Sequence, residues 1–199
     1  KVEKVSNYKS LFLSKKLEIV VFVSGALIMV YELIGSRVLA PHFGTSIIVW
    51  TNLIGVIMGC LSLGYYFGGI IADKKTDYEL LSLILFSTGV CTLLTSLLGN
   101  VILSSNHFVG TDLRTITLQY SLLLFGPASF LFGIISPYSV KLRINDISKS
   151  GETVGTLYAI STLGGIFGTF LAGFYLISFL GTKNILLLTS ATLMLLSIF

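Results

Sequence analysis

Apolar runs of bilayer length follow one another along this chain, with only short polar breaks between them. About 20 mostly apolar residues carry an α-helix across a bilayer. Six stretches meet or approach that length: Leu17–Leu39, Ile47–Ala72, Glu79–Leu98, Thr115–Ile135, Val154–Leu180 and Ile185–Phe199. Unpaired backbone groups are too costly in hydrocarbon, so a span is a helix or a barrel strand. These runs are too long and continuous for strands. The expectation is an all-α polytopic membrane bundle of six transmembrane helices over residues 17–199, preceded by a basic tail at residues 1–16.

Composition points the same way. Charged residues make up 11% of the 199 and hydrophobic residues 54%, against about 25% charged in an ordinary soluble domain. That leaves too few charges to cover a wet surface, which excludes a soluble enzyme, a disordered chain and a nucleic-acid reader despite the net charge of +4. Lys1, Lys4, Lys9, Lys15 and Lys16 precede the first run. Lys74 and Lys75 fill the second loop, and Lys141, Arg143 and Lys149 the fourth. The opposite side holds only Arg37, Arg114 and Lys183 of the thirteen cations. Cytoplasmic loops carry the excess of Lys and Arg, so both termini are expected in the cytoplasm of a plasma membrane, with the basic tail against anionic lipid. The chain starts at Lys1 and closes inside an apolar run, and is expected to be part of something longer.

Membrane helices pack through small residues, because lipid is as apolar as leucine. Asn52, Gly55, Gly59, Ser62, Tyr66, Gly69 and Asp73 recur at steps of three and four on the second span, with Gly64 and Gly68 on another face. The fifth span repeats the theme with Gly155, Tyr158, Thr162, Gly165, Thr169 and Ala172, and adds Gly164 and Gly168. The second and fifth spans are therefore expected to be central and closely packed. Pro127 should kink the fourth span, and Pro137 should end it.

Glu32 is the outstanding polar residue, an acid inside the first span. Such groups are expensive and usually face the bundle interior with a partner. Arg37, five residues on, and a hydroxyl or Asn52 on a neighbouring span are the candidate partners, and Glu32, Arg37, Asn52, Tyr66 and Asp73 form the candidate buried polar set. Cys60 and Cys91 lie inside apolar runs and read as small hydrophobic residues. His42 and His107 stand in separate loops without a third ligand, so no metal is expected. The sequence holds no hydrolase, zincin, phosphate-loop or dinucleotide signature, hence no catalytic constellation and no cofactor.

The residues also resemble a family. Phe22-Val23-Ser24-Gly25-Ala26, Tyr31-Glu32-Leu33-Ile34-Gly35-Ser36-Arg37 and Ala40-Pro41-His42-Phe43-Gly44-Thr45-Ser46 lie in its first-span region. Leu63-Gly64-Tyr65-Tyr66 with Gly68-Gly69, Ser136-Pro137, Gly155-Thr156-Leu157-Tyr158-Ala159 and Thr162-Leu163-Gly164-Gly165 follow. Together they resemble the N-terminal membrane domain of spermidine synthase-like membrane proteins, a major-facilitator-like half fused to a synthase. Gly69 through Asp73-Lys74 also resembles a facilitator signature, departing from it at Thr76-Asp77. The resemblance implies a half-facilitator bundle and, beyond Phe199, an aminopropyltransferase-like domain whose catalytic residues have no counterpart here. Three functions remain open: an anchor or accessory subunit in a larger membrane assembly, associated with itself or with other membrane subunits; a transporter of a small molecule or ion, a polyamine among them, with Glu32 as its polar site; and the membrane part of an aminopropyltransferase fusion.

Overall fold

In the computed structural model, residues 2–105, 112–144 and 150–198 are described, with side chains from Lys15 onward. Six helices follow: α1 Val2–Phe43, α2 Ile47–Lys74, α3 Tyr78–Ser104, α4 Leu113–Arg143, α5 Ser150–Phe179 and α6 Thr182–Ile198. The first five are long and apolar enough to cross a membrane, and α6 has 17 residues. Residues 2–16, set apart above as a tail, belong to the same helix as the first span. Gly44, at φ +77°, closes α1, a conformation that costs a glycine little. Ser46 then caps α2 by accepting from the Val49 amide. His107 and Lys149 lie outside the described residues.

The central helices are α1 and α4, half and 61% buried over their apolar windows, whereas α2 and α5 are only 33% and 17% buried. This corrects the expectation that the second and fifth spans are central. Each of these two helices packs by one glycine edge and leaves its other side free. A Cβ on Gly64 would lie 2.1 Å from the Phe130 carbonyl oxygen, and one on Gly68 2.8 Å from the Ile134 Cα, so α2 rides backbone-to-backbone on α4. On α5, Gly164 and Gly168 stand in the same relation to the carbonyl oxygens of Phe22 and Ala26 on α1, at 2.0 and 2.2 Å.

The two crossings are copies of each other. Leu63-Gly64-Tyr65-Tyr66-Phe67-Gly68 on α2 matches Leu163-Gly164-Gly165-Ile166-Phe167-Gly168 on α5. Phe130 and Gly133 on α4 match Phe22 and Gly25 on α1. Gly133 abuts the Leu61 carbonyl as Gly25 abuts that of Ser161. The Phe67–Phe130 and Phe22–Phe167 rings both sit at 6.0 Å. α3 pairs with α6, where Ser190 Oγ donates to the Gly89 carbonyl at 2.8 Å. The two halves, α1–α3 and α4–α6, thus share one kind of crossing, α2 on α4 and α5 on α1.

Pro137 does not end α4, which continues to Arg143. A proline removes one backbone donor, and here the turn is held from both sides. The ring packs on Gly68, and Ser139 Oγ bonds back to the Ile135 carbonyl at 2.7 Å. Tyr138, fully buried, donates its hydroxyl to the Lys75 carbonyl at 2.7 Å and accepts from the Asp77 amide at 2.9 Å, which pins the α2–α3 loop. Tyr138→Phe should cost about 1–3 kcal/mol by stranding those groups, read as faster amide exchange at Asp77; unchanged exchange would show that the loop is held by other means.

Candidate functional site

The five candidate polar residues do not converge. Glu32 is half-buried on α1, and among the described residues neither an ion pair nor a side-chain hydrogen bond reaches its carboxylate. The expected pairing with Arg37 is absent for a geometric reason. At about 100° per residue, five residues turn a helix by about 140°, which puts the two side chains on different sides of α1. Arg37 is exposed. Asn52 is spent on α4, its Nδ2 donating to the Arg114 carbonyl at 2.8 Å and to Thr117 Oγ1 at 2.5 Å. The hydroxyls of Ser24 and Ser36, on the same side of α1 as Glu32, bond back to Val21 and Leu33 of their own helix.

Asp73 belongs to the opposite end of the bundle, where Lys141 Nζ meets it at 2.6 Å. Lys75 pairs with Asp77 at 3.3 Å and Arg143 with Glu18 at 3.1 Å. These three pairs join the ends of α2, α3 and α4 to one another and, at Glu18, to the body of α1. They are at least partly exposed, so each contributes at most about 1 kcal/mol.

Tyr66 is 66% exposed. It lies on the stripe of Gly55, Gly59, Ser62 and Gly69, where a Cβ on any of the three glycines would meet nothing within 4 Å. Among the described residues Gly55 and Gly59 therefore pack against nothing, in contrast to Gly64, Gly68, Gly164 and Gly168. The stripe sits about half a turn round α2 from the edge that packs on α4. Its counterpart on α5 is open only in part: a Cβ on Gly155 would meet nothing within 4 Å and Tyr158 is 48% exposed, whereas one on Gly165 would lie 3.2 Å from Met29 of α1 and Ala172 is fully buried. Tyr65 of α2 and Tyr158 of α5, each 48% exposed, lie within electrostatic range of each other, so these two exposed side chains neighbour one another. Phe67, Phe167, Phe170, Phe174 and Tyr175 are exposed alongside.

Three features escaped the sequence reading. Residues Ala172–Leu176 of α5 form a π-helical turn, a local irregularity frequent at functional sites. It packs against α1. Tyr31, fully buried beside Glu32, lies 3.1 Å from Thr95 Oγ1 and 3.2 Å from the Leu124 carbonyl, to which Thr95 also donates at 2.8 Å. Its ring packs on Phe125 at 5.4 Å and Phe132 at 6.0 Å. Tyr138 is the third. The available signal was a tyrosine hydroxyl inside a span, which must find a partner.

Among the described residues, no group of three or more His, Cys, Asp or Glu could hold a metal ion. Compared with known proteins, the chain matches no protein-family model, no curated protein and no solved structure.

Proposed function

We propose that this chain is a multi-pass membrane module that acts as an anchor or accessory subunit of a larger membrane assembly, as the membrane half of a spermidine synthase-like protein would. One observation carries the reading. Gly55 and Gly59 on α2 and Gly155 on α5 suit close helix approach, yet among the described residues nothing comes within 4 Å of a Cβ at any of the three. Lipid alone gives no reason for glycine at Gly55, Gly59 and Gly155. The spermidine synthase-like assignment rests on the sequence motifs. The placing in a plasma membrane with both termini cytoplasmic rests on the distribution of Lys and Arg.

The mass of the native detergent-extracted assembly, with every chain in it identified, tests the function. Other chains in fixed stoichiometry, or this sequence within a longer polypeptide, are the expected results. A 21.6 kDa species found free and alone would remove the proposal. Orientation is tested separately: a cysteine at Lys75 should react with an impermeant maleimide only in inverted vesicles, and one at Thr45 only in intact cells. The reverse pattern would invert the topology.

A further inference from the structure

The unpaired acid and the uncovered face belong together. Round α1, Gly25 and Met29 meet α5, through Ser161 and Gly165, while Gly35 meets Leu53 of α2 and Phe125 of α4. At about 100° per residue, Glu32 falls between those two directions, toward the side flanked by α2 and α5. A carboxylate at this depth needs a counter-charge or a donor. Among the described residues its own chain supplies none, and Arg37 is turned away.

We propose that a transmembrane helix of another protein seats on the α2/α5 face and places a Lys or Arg on Glu32. The proposal rests on the assembly role above and names the chemistry of the partner. Charge complementarity selects the occupant. The face presents one acid without a cation, so the partner must bring the cation. A second copy docked by this same face does not bring it, because Arg37, the cation within a span, lies on a different side of α1 from Glu32, and the other described cations from Lys15 onward stand at the ends of the spans. The open glycines let the incoming backbone approach closely enough for a buried pair to form. In lipid such a pair also fixes register and partner choice, since a neutral helix on this face leaves the carboxylate stranded.

The test uses the full chain in its native membrane. A photo-reactive phenylalanine analogue replaces Met58, which is 61% exposed on α2, and adducts are mapped by mass spectrometry. The expected adduct is a transmembrane segment of another protein carrying a mid-span Lys or Arg. Its yield should survive Glu32→Asp and fall at least about tenfold in Glu32→Gln, because removing one member of a buried pair strands the other. Glu32→Lys should lose the adduct, and exchanging the partner's cation for Glu should restore it. Detergent stability of Glu32→Gln should match the parent, since the side chain has no bond among the described residues to lose. Adducts only to lipid, only to this same chain, or to a helix without a basic residue would overturn the inference. So would an unchanged yield in Glu32→Gln, including one accompanied by loss of a cation-dependent uptake, which would assign Glu32 to a small cation instead. If the assembly contains other chains but none is captured at Met58, the inference fails and the assembly role stands. If the chain is found alone, both fail.

Discussion

Replacing Gly164 with valine should separate α1 from α5 and cost about 3 kcal/mol or more, with Gly64→Val costing about as much at the α2–α4 crossing. At each site even the first added carbon would overlap a backbone carbonyl, at 2.0 Å from Phe22 O and 2.1 Å from Phe130 O. Backbone atoms cannot rotate aside as a side chain can, so the helices must part, and the neighbouring contacts through Gly168 or Gly68 are lost with them. Gly55→Val and Gly59→Val should change folding by no more than about 0.5 kcal/mol, because nothing stands within 4 Å of either position. Denaturant titration of the four variants in mixed micelles makes the comparison. Equal losses at Gly64 and Gly164 would support the energetic equivalence of the two halves. A tolerated Gly164→Val would show that the crossing is looser than its carbonyl contacts require. Any effect of Gly59→Val should appear in assembly with partner chains, not in folding of the isolated chain.

That contrast also explains what the sequence could and could not disclose. The six apolar runs announced the helices, five of them long and apolar enough to cross a membrane, because hydropathy over some 20 residues is a property of each segment by itself. The glycine spacings announced that α2 and α5 pack closely. They did not say which side packs, since Gly55 with Gly59 and Gly64 with Gly68 both satisfy the small-residue rule. Only the neighbours decide. Here α4 brings Gly133 and Pro137 to the Gly64–Gly68 edge, which left the other stripe free and put α1 and α4, not α2 and α5, at the centre. The repeat itself was legible in Leu-Gly-x-x-Phe-Gly at Leu63–Gly68 and Leu163–Gly168. Glu32 was visible as an acid within a span, but its partner was not, because nearness in sequence to Arg37 conceals the turn of the helix between them. Pro137 read as a stop because local chemistry favours one there. The helix continues because Tyr138 and Ser139 are held by contacts that depend on α2 and on the preceding turn.

Truncating Tyr31 should be the most damaging change outside the glycine crossings. Tyr31→Ala removes a fully buried ring from contact with Phe125 and Phe132 at the meeting of α1 and α4, and losses of about 3–5 kcal/mol accompany such cavities. Tyr31→Phe keeps the ring and deletes only the hydroxyl, for which about 1 kcal/mol is expected. The smaller figure follows from the hydrogen bonds. The Leu124 carbonyl accepts from Thr95 at 2.8 Å as well as from Tyr31 at 3.2 Å, so it keeps a partner when the tyrosine hydroxyl goes. Tyr31→Phe combined with Thr95→Val removes both donors and should cost more than the sum of the single changes, because only then is the carbonyl bare of both side-chain hydroxyls beside Pro127. Strict additivity would mean that the carbonyl is already satisfied within α4, and that the two hydroxyls contribute independently. The same variants separate folding from function. Tyr31 adjoins Glu32 in sequence but faces α3 and α4, so Tyr31→Phe should lower stability while leaving the partner adduct at Met58 intact. Glu32→Gln should do the opposite. A shared phenotype would mean that the position of α1 in the bundle, not the charge on Glu32, governs association.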